Sequence, residues 1–272
     1  MRVHVGTSGW QYSSWRERFY PKGVAQTRWL SYYAARFACV EVNNTFYNLP
    51  SEETFRKWRD AVPEDFAFVL KASRYLTHVR RLRDPEDPVK LFLERSRPLR
   101  RRTPVILLQL PPRFKADPPR LDRTLRAFPR SQRIAVEFRD ESWYVDPIRE
   151  VLTTHNAALC RADRGGACAE PGWRTADWIY LRFHEGDGRP HPCYRPQTLS
   201  ASARALAEQS RGMTDAYVFF NNDERCCAVR DAAAFATACR ESGLSVTRAE
   251  EQRDQNAVGD GSRRTKRAPG PR

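Results

Sequence analysis

Two glutamates and one histidine are the side chains best suited to proton transfer. Glu41 and Glu137 lie near the ends of short apolar runs, FACVEVNN and IAVEFRDESW, and His184 ends a third run, WIYLRFH. Paired carboxylates can serve as general acid and base, and histidine titrates near neutral pH. The glutamates could equally be countercharges in a structural ion network, and His184 a packed, hydrogen-bonded residue.

Three cations follow runs of the same kind. Lys71 ends the run FAFVLK, Arg139 follows IAVEF, and Arg182 lies within WIYLRFH. Guanidinium and ammonium groups can hold phosphate or carboxylate. Lys71 could instead be a Schiff-base amine or a salt-bridge partner, and the arginines could neutralise the glutamates.

Neutral polar and aromatic side chains complete the candidate ligand-binding set. Its further members are Trp10, Asn43, Tyr47, His78, Gln109, Trp143, Tyr194, Asn221, Asn222 and Asp223. Trp10 and Trp143 could stack on a base or sugar, or form a hydrophobic plug. The segment from Asn221 to Asp223 could contact a ligand or hold backbone turns. His78 could belong to the site or to loop structure.

Eight apolar, strand-like segments position these residues. They are Val3–Thr7, Cys39–Asn43, Phe66–Lys71, Val105–Leu110, Arg133–Phe138, Ala158–Ala162, Trp178–Phe183 and Ala216–Phe220. Helical stripes lie between most of them, and this alternation predicts a parallel sheet. The pattern predicts an α/β protein with a single (β/α)₈ TIM-type barrel, whose site lies at the carboxyl ends of the strands.

Two segments depart from the regular pattern. The stretch DRGGACAEPGWRTAD after the sixth strand is short and glycine-rich, so the helix there is predicted to be weak or missing. Residues 1–248 are assigned to the barrel and residues 249–272 to a disordered basic tail. No G-x-G-x-x-G follows the first strand, which weighs against a dinucleotide-binding fold.

Strand alternation predicts which polar residues meet. The pairs that share a face are Glu41 with Asn43, Glu137 with Arg139, and Arg182 with His184. If these faces point inward, the pairs converge at one barrel mouth, together with Lys71, Gln109 and Asn221.

The charge favours anionic partners. The net charge is +14, and residues after Ala249 contribute only six basic against four acidic side chains, which leaves about +12 on the body. This predicts a phosphorylated small molecule or nucleic acid as partner. Of the 47 basic residues only six are lysine, and a skew toward arginine can also arise from G+C-rich coding.

We find no pattern of a targeting segment in the first residues and no metal-binding motif among the cysteines. No apolar run approaches 18 residues, so neither a membrane span nor a membrane partner is expected. The first residues, MRVHVGTSGW, enter a strand without a signal-peptide stretch, so a cytoplasmic protein is expected. The seven cysteines form no C-x-x-C pair and are interpreted as reduced thiols, with no zinc site.

Seven segments resemble the YecE-like family, domain of unknown function 72. They are GTSGWQYSSWRERFYP, FACVEVNNTFYNLPSEETFRKW, FAFVLKASRYLTH, LLQLPPRF, IAVEFRDESW, YLRFH and VFFNNDERCCAVRDA. They extend over residues 3 to about 245 and differ from the family's YLRFHG pattern at Glu185. The resemblance implies a TIM-type barrel but no established activity.

The resemblance also implies a relation to the endonuclease IV type of barrel, and hence nucleic-acid binding. Such a nuclease needs several histidine and carboxylate ligands for two or three metal ions. Of the five histidines, only His78 and His184 are suitably placed, so neither a metal cluster nor a cofactor is expected. A single Mg²⁺ or Mn²⁺ ion on Glu41, Glu137 or Asp163 remains open.

The sequence thus predicts a barrel that binds a phosphorylated sugar, a nucleotide or a nucleic-acid segment. Hydrolysis or isomerisation is the expected reaction class, with proton transfer by Glu41, Glu137 and His184. One alternative is a glycosidase that uses the two glutamates, whose carboxyl groups would lie roughly 5 Å apart in a retaining enzyme and 6.5–9.5 Å apart in an inverting one. The other is a nucleic-acid binding module without catalysis.

Overall fold

A curled sheet of parallel strands forms the centre of the protein. The computed structural model describes residues 1–163, 171–189 and 191–250. Its strands are β1 (Arg2–Thr7), β2 (Cys39–Val42), β3 (Ala67–Lys71), β4 (Val105–Gln109), β5 (Arg133–Glu137), β6 (Ala158–Asp163), β7 (Ile179–Phe183), β8 (Asp215–Phe220) and β9 (Ser245–Val246). Neighbouring strands follow the order β2-β3-β4-β5-β6-β7-β8-β1-β9. The predicted α/β barrel is confirmed with all eight strands, and the short β9 is an addition.

Helices cover the outside of the sheet. They are α1 (Trp29–Ala34), α2 (Asn44–Tyr47), α3 (Glu52–Asp60), α4 (Glu86–Arg95), α5 (Pro118–Ala127), α6 (Asp146–Thr154), α7 (Pro196–Glu208) and α8 (Cys227–Glu241). Between β6 and β7, the described residues 171–178 contain no helix, as predicted, and residues 164–170 lie outside the described part. No helix in the described ranges is both long and apolar enough to cross a membrane.

Two helix starts show how the sequence positions these elements. The Ser51 hydroxyl accepts a hydrogen bond from the backbone N–H of Thr54 at 3.2 Å and caps α3, a role for which serine is strongly preferred. The Asp117 carboxylate likewise accepts from the N–H of Arg120 at 3.0 Å, and Pro118 occupies the first position of α5. These caps satisfy N–H groups that have no partner inside the helix.

The carboxyl-terminal segment continues the fold beyond the predicted boundary. Ala249 is 1% exposed and forms a bridge with Phe37. The N–H of Glu250 donates to the carbonyl of Arg36 at 3.1 Å. Ordered structure therefore extends past residue 248, and the predicted disordered tail, from residue 251 onward, lies outside the described residues.

The strands separate two apolar clusters, because successive side chains point to opposite faces. The inner cluster, enclosed by the sheet, consists of Cys39, Val69, Val105, Leu107, Ala135, Ala158, Cys160, Trp178, Tyr180, Tyr217 and Phe219. The outer cluster lies between the sheet and the helices. Two residues beyond Cys39, Ala135 and Tyr180, the inward positions are Glu41, Glu137 and Arg182, so the inner face becomes polar toward the carboxyl ends.

A tyrosine hydroxyl closes the barrel between β1 and β2. Within the described residues, the ladder of backbone hydrogen bonds ends at β2 and does not continue from β2 to β1. The Tyr33 hydroxyl, from α1, accepts the Thr7 N–H at 3.0 Å and donates to the Cys39 carbonyl at 3.1 Å. Tyr33 is 0% exposed, so this bridge replaces ladder hydrogen bonds in a dry environment. We call the contact of β1 with β2 at Tyr33 the seam.

Substituting Tyr33→Phe is expected to lower the free energy of unfolding by about 1–3 kcal/mol, because a buried N–H and a buried carbonyl each lose a partner. Urea unfolding monitored by circular dichroism measures the loss. Tyr32→Phe is the matched control, since the neighbouring Tyr32 is half-buried and its hydroxyl has no hydrogen bond within the described residues. Equal losses in the two variants would contradict the bridging role.

Candidate functional site

Two buried carboxylates hold one buried guanidinium at the carboxyl end of the barrel. Arg182 donates from Nη2 to Glu41 Oε1 and from Nη1 to Glu137 Oε2, each at 2.6 Å. The exposed fractions are 2% for Arg182 and 0% for both glutamates. Removing three charges from water is unfavourable unless they are paired and hydrogen-bonded. We call this group the Glu–Arg–Glu triad.

Neutral and cationic side chains extend the triad on both sides. The Tyr180 hydroxyl donates to Glu41 Oε2 at 2.7 Å. Gln109 Nε2 donates to Glu137 Oε2 at 2.8 Å, and Arg139 Nε lies 3.4 Å from Glu137 Oε1. The predicted convergence of Glu41, Gln109, Glu137, Arg139 and Arg182 is therefore present in the structure.

The electrostatics keep Glu41 ionised. Burial alone would raise the pKa of Glu41, but the charge and hydrogen bond of Arg182 outweigh it and hold that pKa below its ordinary value. A carboxyl group with a lowered pKa has no proton to give at neutral pH. Glu41 can therefore act as an acceptor or as a countercharge, but not as a general acid.

Lys71 and His78 form a second group near the mouth, with Phe46 between them. Lys71 Nζ lies 4.2 Å from the centre of the Phe46 ring, and the His78 ring meets the same ring edge-on at 4.8 Å. His78 lies in a π-helical turn, Tyr75–Val79, directly after β3. Such turns are uncommon and frequently occur at functional sites.

Positive charges around His78 keep it neutral. Burial, together with the charges of Lys71 and Arg139, lowers the pKa of His78 to about 4, and Arg74 and Arg81 act in the same direction. The His78 Nδ1 atom lies 2.9 Å from the Thr77 hydroxyl. His78 is thus an uncharged imidazole among four cations. We call these cations the cationic half of the mouth: Lys71, Arg74, Arg81 and Arg139.

The opposite side of the mouth is acidic. Burial raises the pKa of Asp163, and the charges of Glu185 and Asp187 add to the effect while the Tyr194 hydrogen bond opposes it. Burial also raises the pKa of Asp223 to about 6, against the hydrogen bond from Trp15. We call these four carboxylates the acidic half: Asp163 ends β6, and Glu185, Asp187 and Asp223 follow β7 and β8.

The other predicted mouth residues have polar neighbours or are open to solvent. His184 Nδ1 lies 3.0 Å from Asn221 Nδ2. Asn43 donates to the Ser8 carbonyl at 3.3 Å. Tyr47 is 70% exposed and offers a free ring face. Ligand binding by these residues, and proton transfer by His184, remain predictions.

Comparison with known proteins agrees with this architecture. The family described as "Protein of unknown function DUF72" matches residues 4–256. The chain belongs to the DUF72 family. It is 32% identical to UPF0759 protein YecE of Escherichia coli K12 over 143 residues. This matched segment covers 52% of this chain and 50% of YecE. It is 27% identical to UPF0759 protein YunF of Bacillus subtilis, over 81% of this chain and 89% of the relative.

Solved DUF72 structures share the fold. A family member from Thermotoga maritima superposes with a TM-score of 0.75 at 29% identity, covering 88% of this chain and 100% of that one. A member from Enterococcus faecalis gives a TM-score of 0.75 at 20% identity, covering 93% and 100%. The match to the E. coli relative spans about half of that protein's length, and none of these names states an activity.

Two aromatic side chains predicted to contact a ligand, Trp10 and Trp143, are buried in the structure. Trp143 is 0% exposed, stacks on Phe138 at 4.8 Å and donates to the Phe114 carbonyl. Trp10 is 4% exposed and packs edge-on against Trp58 at 5.2 Å. Both rings belong to the hydrophobic core, as expected if they form a hydrophobic plug. Neither ring has a face open to a base or sugar.

Tyr194 and Asn222 hold a loop. The Tyr194 hydroxyl donates to Asp163 Oδ2 at 2.5 Å, and its backbone N–H donates to Asp231 Oδ2 at 2.8 Å. Asn222 donates to the Pro192 carbonyl and to Asp231, each at 2.7 Å. Tyr194 is 4% and Asn222 3% exposed, so both stabilise the turn after β7 and cannot meet a ligand in this arrangement.

The cysteine prediction was wrong for one pair. Cys193 and Cys227 form a disulfide that joins the loop after β7 to the first residue of α8. Cys39, Cys160, Cys226 and Cys239 are free thiols, as predicted, and Cys168 lies outside the described residues. A pairing across 34 positions has no signature in spacing, so only the fold reveals it.

Sequence reasoning also missed Tyr180 and Asp231. Tyr180 precedes Arg182 by two positions, so strand alternation placed it on the inner face, but its apolar neighbours made it look like a core residue. Asp231 lies in α8 and is 1% exposed. A carboxylate on the apolar face of a helix is itself a signal of a buried hydrogen-bond network.

The acidic side chains proposed as ligands for a divalent ion are already engaged. Arg182 bonds both Glu41 and Glu137, and Asp163 accepts from Tyr194. Within the described ranges, no group of three or more His, Cys, Asp or Glu side chains is arranged to hold a metal ion. Binding of a single Mg²⁺ or Mn²⁺ ion at these carboxylates remains a prediction.

Proposed function

We infer that the barrel mouth binds a phosphorylated small molecule, a sugar phosphate or a nucleotide. The observation that supports this is the excess of cations on one side. Arg182 and Arg139 contact the glutamates of the triad, and Lys71, Arg74 and Arg81 add positive charge around His78. Phosphate is the ligand group that clustered guanidinium and ammonium groups hold best.

The acidic half favours a small ligand over a nucleic acid. A long polyanion crossing the mouth would meet Asp163, Glu185 and Asp187, whose like charges already act on one another. A sugar phosphate can place its phosphate on the cationic half and its hydroxyl groups on the acidic half, where carboxylates accept hydrogen bonds. The exposed Tyr47 adds a ring face for a sugar or a base.

The geometry does not favour the glycosidase alternative. Glycoside hydrolysis needs one protonated carboxyl group beside the scissile bond. Glu41 has a lowered pKa, and the guanidinium of Arg182 lies between the two glutamates. The neutral His78 is the better candidate for accepting a proton in a hydrolysis or isomerisation, because its lowered pKa keeps the imidazole unprotonated and the negative charge of a bound phosphate would raise that pKa.

Substituting Arg139→Gln is expected to weaken the binding of ribose 5-phosphate by about tenfold or more, because a hydrogen bond to a charged group is lost. Arg139 is the suitable target because its side chain is 31% exposed and lies at the rim of the triad. Isothermal titration calorimetry measures the dissociation constant, with AMP as a second ligand and ribose as the uncharged comparison.

Arg149→Gln, on the exposed surface of α6, is the matched control and should bind as the native protein does. Binding should survive a rise in salt that removes non-specific attraction. The proposal fails if neither ribose 5-phosphate nor AMP binds the native protein, or if Arg139→Gln and Arg149→Gln bind equally well.

A further inference from the structure

A groove lined by arginines opens on the side of the barrel opposite the mouth. Its volume is about 610 Å³, and it is lined by Glu52, Arg56, Arg59, Glu64, Arg97, Pro98, Arg100, Arg101 and Arg102. The groove lies between α3 and a 3-10 helix, Arg97–Arg102, that precedes β4. The end of α3 leads into β3 and the 3-10 helix leads into β4, so the part of the groove lined by Arg59, Glu64 and the 3-10 helix lies toward the amino ends of the strands.

Local contacts hold the arginines in this position. Leu99 is 0% exposed and anchors the 3-10 helix in the core. Arg102 donates from Nη1 to the Arg59 carbonyl at 2.6 Å and lies 3.3 Å from the Val62 carbonyl. This ties the 3-10 helix to the end of α3. Arg97, Arg100 and Arg101 are consequently turned toward solvent.

The charge of the groove is not neutralised locally. Arg56 pairs with Glu52 at 2.5 Å, and Arg59 with Asp60 at 2.7 Å. Arg97, Arg100 and Arg101 have neither an ion pair nor a hydrogen bond within residues 1–163, 171–189 and 191–250. Six arginines and two glutamates therefore line one concave surface, and three of the arginines have no ion pair in the described part of the chain.

The neighbouring helix shows the contrast. Three arginines of α5, Arg120, Arg123 and Arg126, each pair with a carboxylate at 2.8–2.9 Å. The arginine-rich composition therefore does not by itself leave a surface with unpaired positive charge. The groove is unbalanced because four of its six arginines come from one short run, RPLRRR, which contains no acidic residue.

The lining identifies the class of anion. Single-stranded nucleic acid is held mainly by aromatic side chains on which its bases stack, and the groove lining contains none. A membrane surface requires apolar side chains beside the cations, and Pro98 is the sole apolar lining residue of this groove. Guanidinium groups suit the phosphate oxygens of a continuous backbone.

We propose that this groove binds the phosphate backbone of double-stranded nucleic acid, without reading the bases. The site is distinct from the mouth, because one strand length of about 17 Å separates the two faces of the barrel. A single protein would thus hold a duplex on its amino face and a small phosphorylated ligand on its carboxyl face. The two sites can be tested with separate variants.

The test is fluorescence anisotropy with a labelled 20-base-pair DNA duplex across a salt series. The triple variant Arg97→Gln, Arg100→Gln, Arg101→Gln should raise the dissociation constant at least tenfold at low salt. Its log–log salt slope should fall by about 2.7, since each phosphate contact contributes about 0.9. These side chains are exposed, so the thermal unfolding midpoint should not change.

The control carries the same loss of charge elsewhere. Arg149→Gln, Arg204→Gln, Arg211→Gln removes three exposed arginines of the opposite flank and should bind the duplex within threefold of the native protein, as should Arg139→Gln. The proposal is overturned if the native chain does not bind the duplex, or if the control loses as much affinity as the groove variant. It is also overturned if Arg139→Gln abolishes binding, or if phosphatidylserine vesicles bind the groove and the duplex does not.

Discussion

The variant Arg182→Met is expected to lose about 3–5 kcal/mol of unfolding free energy at pH 7, because it leaves two buried carboxylates without their shared cation. Both glutamates are 0% exposed, so water cannot take over the role of the guanidinium. Urea unfolding of the native and variant chains measures the difference. Arg139→Met is the matched control, and its loss should stay below about 1 kcal/mol because Arg139 is partly exposed.

The loss in Arg182→Met should also depend on pH, and the sign follows from Glu41. In the native protein the pKa of Glu41 is lowered, so its ionised form stabilises the fold above the unfolded value of about 4.3. That contribution disappears as the pH falls through the folded pKa. Without Arg182, burial raises the pKa of Glu41 in the folded state, and the variant loses stability as the pH rises above about 4.3.

The difference between native and variant should therefore be largest at neutral pH and should shrink toward pH 4.5. If Arg182→Met fails to fold, Arg182→Lys provides the test, because it keeps the charge but loses the fork that reaches both carboxylates. A loss that is the same at both pH values would show that lost packing, and not the two carboxylates, is responsible.

Gly6→Ala is expected to produce the second large effect. A methyl group on Gly6 would lie 2.3 Å from the Cys39 carbonyl oxygen, and no flexible side chain can move aside there. The two strands of the seam must separate, which should cost about 3 kcal/mol. The thermal unfolding midpoint should fall by about 6–12 °C in a protein of this size.

Gly172→Ala is the matched control for Gly6→Ala. A methyl group on Gly172 meets no atom within 4 Å, so its unfolding midpoint should stay close to the native value. An equally small change in Gly6→Ala would show that β1 and β2 are not in tight contact and that the seam is open.

Strand alternation was the strongest source of correct predictions. It placed Glu41, Glu137 and Arg182 on the inner face, because a buried strand leaves only two directions for a side chain. The same rule places Tyr180 on this face, although its apolar neighbours make it look like a core residue. Strand alternation does not predict which charged side chains form ion pairs, because the distances between strands across the barrel depend on how strongly the sheet curls.

The failures occurred where the chain leaves the strands. Trp143 follows β5 closely, as a mouth residue would, yet its ring turns back onto Phe138. No periodicity governs a loop, so position alone could not separate a stacking platform from a core residue. The run of arginines before β4 was visible in the sequence, but that it faces α3 across a groove depends on the packing of the two helices.

The pairing of β1 has a consequence for how the chain folds during synthesis. Arg2 pairs with Asp215 of β8 on one side and with Ser245 of β9 on the other, and at its far end β1 is joined to β2 through the hydroxyl of Tyr33. Strand β1 therefore acquires its ladder partners, β8 and β9, only after the strands from β2 to β7 have been translated. Until then β1 remains an unpaired edge, the kind of surface that favours aggregation and that chaperones protect.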